Sequence, residues 1–160
     1  MITVIIPALN EEKTIRDVIS LVSSSPQVGE ILVIDDKSSD NTIKRSRLPK
    51  VRIYTSPKLG KGSSIREGIM LSKNEVVVLL DADILTYPEN IVELLTSPIL
   101  KGEADFVKST FDRQAGRVTE LVAKPLLGLL FPELSKFSQP LSGMFGCKKS
   151  LMKKLEIEND

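Results

Sequence analysis

Val76-Val77-Val78-Leu79-Leu80-Asp81-Ala82-Asp83 is the stretch that decides how the rest of the chain reads. An unbroken β-branched and aliphatic run stops abruptly at two carboxylates separated by one small residue. Such a run is a central strand buried on both faces, as in a parallel sheet covered by helices on either side. Ligands of open α/β sheets bind outside the carboxyl ends of the strands, so Asp81 and Asp83 are expected where a ligand sits. Two hard oxygen donors suit Mg2+ or Mn2+, cations that share their ligands with substrate phosphates. An Asp pair after a strand can also do no more than start a turn. The flanking loops have to decide between the two.

Upstream, residues 2–6 form a first buried strand, stopped by Pro7. Asn10 is expected to cap the next helix, with Glu11 and Glu12 in its first turn, where the helix dipole favours negative charge. Ile15, Val18, Ile19 and Val22 supply the apolar stripe of that helix. A second strand, residues 30–34, runs into Asp35-Asp36. The cap-rich Ser38-Ser39-Asp40-Asn41-Thr42 then starts a short polar helix. Residues 51–54 alternate and read as a strand nearer an edge. The loop Pro57-Lys58-Leu59-Gly60-Lys61-Gly62 leads into a helix over residues 63–72 that buries Ile65, Ile69 and Leu71. Downstream of the central strand, Pro88 is expected at the first position of another helix, with Ile91, Leu94 and Leu95 inward. The alternation β-α-β-α-β-α-β-α specifies an α/β three-layer sandwich, with a mostly parallel Rossmann-like sheet and helices on both faces.

The second half reads differently. Residues 104–110 form a strand of moderate strength and residues 114–120 a loop into a helix. The apolar face of that helix is Leu121, Val122, Leu126, Leu129 and Leu130, and Pro125 kinks or restarts it. Leu126-Leu127-Gly128-Leu129-Leu130-Phe131 fits one wide stripe, hence a buried helix, rather than a membrane or subunit contact. Residues 131–140 are irregular, 143–147 a short strand and 149–155 a last helix.

The 160 residues suffice for one domain with a sizeable core. A net charge of +1 leaves no general electrostatic footprint for nucleic acid. A single cysteine, Cys147, excludes an internal disulfide framework, reads as a small buried hydrophobe, and suits a reducing, cytoplasmic compartment. No basic, apolar leader opens the chain. No apolar run approaches the roughly 20 residues needed to cross a bilayer. Histidine is absent, so Ser-His and Cys-His nucleophile pairs are excluded within the chain. The last residues carry no stop signal, and the second half is expected to be cut short.

Three phosphate-binding patterns compete. A dinucleotide fingerprint needs glycines in the first strand–helix turn, but Pro7-Ala8-Leu9-Asn10-Glu11-Glu12 has none. A P-loop needs Gly-Lys-Ser/Thr, but Lys61 is followed by Gly62. A nucleoside diphosphate held by strand ends and a cation fits all the informative loops.

Pro7-Ala8-Leu9-Asn10-Glu11-Glu12, Val33-Ile34-Asp35-Asp36-Lys37-Ser38-Ser39-Asp40-Asn41-Thr42, Gly60-Lys61-Gly62 and Leu80-Asp81-Ala82-Asp83, in that order, resemble the nucleotide-sugar half of family 2 type glycosyltransferases with the GT-A fold. Further on, the run from Gly116-Arg117-Val118-Thr119-Glu120 to Leu127 resembles glucosyl-3-phosphoglycerate synthases. So do Pro132-Glu133-Leu134 and Gln139-Pro140-Leu141-Ser142-Gly143. Those are retaining enzymes that transfer glucose from a nucleotide sugar to 3-phosphoglycerate. This chain departs from them at Gly143-Met144-Phe145, where their pattern has Gly-Glu-Tyr. It also lacks their further C-terminal region with a metal-ligand histidine. A single domain, 1–160, is expected: residues 1–103 as the nucleotide-sugar half and 104–160 as an incomplete acceptor half.

The resemblance implies that Glu11, with Pro7, Ala8 and Leu9, faces base and ribose. Asp81 and Ala82 contact the nucleotide and Asp83 binds Mg2+ or Mn2+. Gly116, Arg117 and Thr119 bind the acceptor. The residues' own chemistry agrees. Asp35 or Asp36 can accept from base or ribose. Gly60 and Gly62 let the backbone approach a diphosphate, on which the Lys61 ammonium acts as a point charge. A guanidinium at Arg117 can clamp a phosphate or carboxylate bidentately. Asp83 and Lys61 are expected to carry the chemistry. The expected partners are a nucleotide-diphosphate sugar, a small phosphorylated acceptor and a second copy in a homodimer. The leading expectation is hexosyl transfer, glucose to 3-phosphoglycerate. A dolichol- or polyprenyl-phosphate sugar transferase, or a nucleotide-sugar-binding module without turnover, is the alternative.

Overall fold

A computed structural model of the chain describes residues 1–110, 119–134, 137, 139–140 and 142–154. Its strands are β1 (Ile2–Ala8), β2 (Val28–Asp35), β3 (Val51–Thr55), β4 (Val76–Leu79), β5 (Phe106–Lys108) and β6 (Phe145–Lys148). They form one six-stranded sheet in the order β3-β2-β1-β4-β6-β5. The first four strands are mutually parallel, and β6 runs antiparallel to both β4 and β5. The helices are α1 (Ile15–Ser23), α2 (Thr42–Arg45), α3 (Lys61–Leu71), α4 (Ile91–Leu100), α5 (Lys124–Leu130) and α6 (Lys149–Lys154).

The aliphatic run of β4 divides its side chains between two layers, as alternation across a strand requires. Val78 and Leu80 join Val4, Ile6 and Val33 beneath α1 and α4. Val77 and Leu79 join Ile5, Leu32 and Ile34 beneath α3 and α6, where Cys147 is fully buried as a small hydrophobe. Each fully buried aliphatic side chain contributes about 1.5–3 kcal/mol, so the layer beneath α1 and α4, with the larger set of buried side chains, carries more of the cohesion. Gly68 lets α3 press onto β1: a Cβ there would lie 2.4 Å from Ile5 Cγ2. That approach sets the start of α3, and Lys61 with it, over the carboxyl end of β1. Chain connections leave β1 toward β2 on one side, while β4 lies on its other side. The strand order therefore switches between β1 and β4, where a crevice opens.

Several local expectations are corrected. Pro7 does not stop β1, which continues to Ala8. Ala8 accepts from Asp36 N–H on the β2 side (2.8 Å), so Pro7 faces β4, whose ladder has already ended at Leu79; its missing N–H costs nothing there. Asn10 is not an N-cap. It has φ 57° and is tied to the β2–α2 loop, and α1 starts only at Ile15. Glu11 and Glu12 accordingly lie in the turn before α1. Pro88 is not the first residue of α4, which starts at Ile91 after a turn closed by Ile91 N–H to Pro88 O. Leu94 is exposed, and Val92 takes its place inward. Ile65 and Leu71 are only partly buried.

The largest correction concerns the second half. Thr119–Ala123 forms a π-helical turn running into α5, with Pro125 in the first turn of α5. No residue of α5 is buried: Leu126, Leu129, Leu130 and the following Phe131 are 50%, 77%, 63% and 51% exposed. The stripe is present, but nothing among the described residues packs on it.

Candidate active site

The crevice at the β1/β4 switch is about 570 Å3 and is lined by Pro7, Ala8, Leu9, Glu11, Asp36, Leu59, Gly60, Lys61, Ser64, Asp81, Ala82 and Asp83. Four separate loops contribute, and each is held by a different device.

The loop after β1 is latched to the loop after β2. Glu11 N–H donates to Thr42 Oγ1 (2.7 Å), Glu12 N–H to Asp40 Oδ2 (3.1 Å), and Ser39 N–H to the Asn10 side-chain oxygen (2.9 Å). Asn41 returns two bonds to the Glu12 carboxylate. The backbone N–H of Asn41, followed by its side-chain amide, holds the Glu12 carboxyl below its usual value. The Glu11 carboxyl is instead raised, first by burial and further by Asp83 and Asp40, against a lowering bond from Thr14.

Asp35 and Asp36 part company at the end of β2. Asp35 is fully buried, accepts Ser38 N–H (3.2 Å) and does not line the crevice. Asp36 does line it. One of its oxygens accepts Gly60 N–H (2.9 Å), while Oδ1 is buried without a partner. An ionised carboxylate oxygen can only accept, so Asp36 Oδ1 is an unused acceptor in the crevice wall. Ser64 Oγ, in the crevice wall, is likewise buried and unpartnered.

Gly60, at φ 119°, precedes α3 in a conformation that disfavours any side chain. The helix start has no side-chain cap, which leaves its first amides for an anion. Lys61 projects from it and donates to Asp81 Oδ1 (2.7 Å). This ion pair is half open to solvent, with side chains 57% and 21% exposed. Its own contribution to stability is therefore small, and the ammonium can transfer to a phosphate. Asp83 stands exposed at the rim.

Tyr87, which the sequence pattern did not single out, fixes the carboxylate turn. Its hydroxyl accepts Asp81 N–H (2.9 Å) and donates to Asp81 O (3.1 Å). Burial, followed by the neighbouring Asp81 carboxylate, raises its pKa and keeps the hydroxyl protonated. No periodicity marks Tyr87, because it reaches back over an irregular loop. In the sequence Gly143 stands out only as part of the Gln139–Gly143 motif. A Cβ there would meet Asp81 Oδ1 and Lys61 Nζ, each at 3.3 Å. Its segment is held by Lys108, which donates to Ser142 O, and by Ser109 N–H bonded to Met144 O (3.1 Å). Burial lowers the Lys108 pKa.

The structure thus gathers Pro7, Ala8, Leu9, Glu11, Asp36, Lys61, Asp81, Ala82 and Asp83, and leaves Asp35 outside. Thr119 is buried at the start of the π-helical turn and is not in the crevice wall. Gly116 and Arg117 lie outside the described residues. Among the described residues no group of three or more Asp, Glu, His or Cys could by itself hold a metal ion. The exposed Asp83 carboxylate, with Asp81 near, fits a hard cation that takes the rest of its ligands from diphosphate oxygens and water.

The chain is similar to known proteins in both sequence and fold. The model of the family "Glycosyl transferase family 2" matches residues 3–155. The glucosyl-3-phosphoglycerate synthase of Mycobacterium tuberculosis (strain CDC 1551 / Oshkosh) is 34% identical over 179 residues, covering 96% of this chain and 55% of that protein. A crystal structure of the M. tuberculosis enzyme with Mn2+, UDP-glucose and phosphoglyceric acid superposes with a TM-score of 0.90. It is 36% identical over 97% of this chain and 59% of its own. Dolichol-phosphate mannosyltransferase of Pyrococcus furiosus is 26% identical over 98% of this chain and 48% of its own. The chain spans about half the length of the curated relatives it matches. No described helix is long and apolar enough to cross a membrane.

Proposed function

The chain belongs to glycosyl transferase family 2, and from that premise we propose that its crevice takes a nucleoside-diphosphate hexose and a divalent cation and passes the sugar to a small phosphorylated acceptor. UDP-glucose and 3-phosphoglycerate are the best-supported pair, because UDP-glucose and phosphoglyceric acid occur with Mn2+ in the superposed relative. The observation that carries the reading is the meeting of Asp36, Lys61, Asp81 and Asp83 on one rim at the β1/β4 switch.

In this reading Pro7, Ala8, Leu9 and Glu11 seat base and ribose, and Asp36 Oδ1 accepts from one of them. Lys61 exchanges Asp81 for the diphosphate, assisted by the open amides at the start of α3. Asp83 holds Mg2+ or Mn2+ between itself and the diphosphate. Bound there, the cation supplies Lewis-acid charge to the leaving group. Residues 1–103 serve the donor and 104–160, with Gly116, Arg117 and Thr119, the acceptor. A homodimer through the exposed face of α5 is part of the proposal. So is action in the cytoplasm, supported by the lone, buried Cys147.

One observation favours a second reading. The exposed apolar face of α5 suits contact with a lipid, and a dolichol-phosphate transferase is among the relatives. The test offers the chain labelled UDP- and GDP-sugars with Mg2+ or Mn2+, and either 3-phosphoglycerate or a polyprenyl phosphate. Labelled glucosyl-phosphoglycerate is expected. Transfer to lipid alone selects the second reading, and nucleotide binding without any transfer reduces the chain to a binding module.

A further inference from the structure

We infer that Tyr87 is a positioning residue of the cation site: its hydroxyl holds the main chain at Asp81, so that Asp81-Ala82-Asp83 presents its carboxylates in one arrangement. The inference rests on the proposed role of Asp83 as cation ligand and adds the device that orients it.

The need for such a device follows from strand geometry. Leu80 N–H donates to Ile5 O on the β1 side (3.1 Å), so the backbone groups of Asp81 face the opposite side, toward β6. There the β4–β6 ladder ends at Leu79↔Phe145. Asp81 therefore has an N–H and a C=O with no strand partner, where the chain turns out of the sheet. A single hydroxyl can both accept and donate, and Tyr87 Oη does both, at 2.9 and 3.1 Å. The ring is 9% exposed and packs in the core layer beneath α4 with Ile91, Leu95 and Met144. The clamp thus ties an exposed carboxylate turn to the rigid interior. A ligand carboxylate held by packing meets a cation without first ordering its loop, which favours binding.

The experiment is calorimetry of UDP on the whole chain, with Mn2+ and with EDTA, for wild type, Tyr87→Phe and Leu95→Val. Tyr87→Phe keeps the ring and removes only the hydroxyl. Leu95→Val loosens the same core layer without touching Asp81. The expected result is about a tenfold loss of UDP affinity in Mn2+ for Tyr87→Phe. Its affinity in EDTA should change less than about twofold, and the ratio of the two affinities in Leu95→Val should match wild type. A ratio unchanged in Tyr87→Phe, or lowered equally in Leu95→Val, overturns the positioning role while leaving the donor site in place. Wild type that binds no UDP at all overturns the proposed function and the clamp's role with it. Hydrogen exchange of the wild-type Asp81 amide gives a reading that needs no variant. Slow exchange is expected, and exchange at the rate of an open loop overturns the clamp.

Discussion

The two ends of the central strands treat buried carboxylates in opposite ways. At the amino end, Glu30 on β2 is 4% exposed and saturated. It accepts from Thr3 Oγ1 (2.8 Å) and Lys73 N–H (2.9 Å), pairs with Arg52, and has Lys73 Nζ at 4.0 Å. Burial works to raise its pKa, yet bonds from Lys73, Arg52 and Thr3 hold it below the usual value. At the carboxyl end, Asp35 Oδ2, Asp36 Oδ1 and Ser64 Oγ are buried with no partner. Leaving such a group unmade costs about 1–3 kcal/mol each. One end spends its polar groups on stability. The other leaves groups unpaired, and of these Asp36 and Ser64 line the crevice while Asp35 does not.

The contrast can be broken most forcefully at Glu30. Glu30→Ala removes the shared acceptor of Thr3 Oγ1, Lys73 N–H and Arg52, although Thr3 keeps its bonds from Asn74 and Arg52 its bond to Leu71 O. It should destabilise by about 3 kcal/mol, toward the low end for buried pairs because Arg52 is partly exposed. For a chain of this size that lowers Tm by roughly 6–12 °C, while UDP affinity in Mn2+ stays at the wild-type value. A fall in affinity that matches the fall in stability would mean that the two ends are not separate. Acid titration sharpens the same point. Because the folded-state pKa of Glu30 is depressed, its stabilisation is complete above the unfolded value near 4.5 and is lost as pH falls through the folded value. Thermal melts of Glu30→Gln should lose part of the wild type's slope below about pH 4.5.

At the other end the effects should fall on ligands rather than on Tm. Asp83→Asn should weaken Mn2+-dependent UDP binding by about 100-fold with an unchanged melting curve. If a chelator alters wild-type affinity no more than it alters the variant's, the assignment of Asp83 as cation ligand fails. Lys61→Met should reduce UDP affinity about tenfold, in Mn2+ and EDTA alike, since the ammonium meets phosphate directly. Gly143→Ala should cost the least, a loss of about threefold. The nearest neighbours of its new methyl are the ends of the Lys61 and Asp81 side chains, which can shift. Calorimetry resolves all three.

The alternation of apolar runs with amphipathic stripes, and carboxylates at the ends of the second and fourth strands, were open to reading in one dimension. They depend on period and on chain order. The β4 run, the α1 stripe of Ile15, Val18, Ile19 and Val22, and the edge position of β3 all stand as read. The placement of β6 between β4 and β5 was not readable, because antiparallel insertion depends on what the last strands find uncovered. The exposure of α5 was not readable either: a stripe says which face is apolar, never whether anything covers it. Asn10 has the composition of a cap, yet its side chain bonds Ser39, a contact across 29 positions that no local pattern marks.

By itself the chain's order of residues determined an α/β sheet with acidic strand ends and a lysine between two glycines, since local periodicity and composition suffice for that. That Asp36 and not Asp35 faces the crevice, that Lys61 pairs with Asp81, and that Tyr87 holds their turn are consequences of packing in three dimensions. Those outcomes depend on where strands stop relative to their neighbours. Backbone groups and side chains freed by an ending ladder take whatever partner the packed fold brings within reach, and no spacing along the chain encodes that distance.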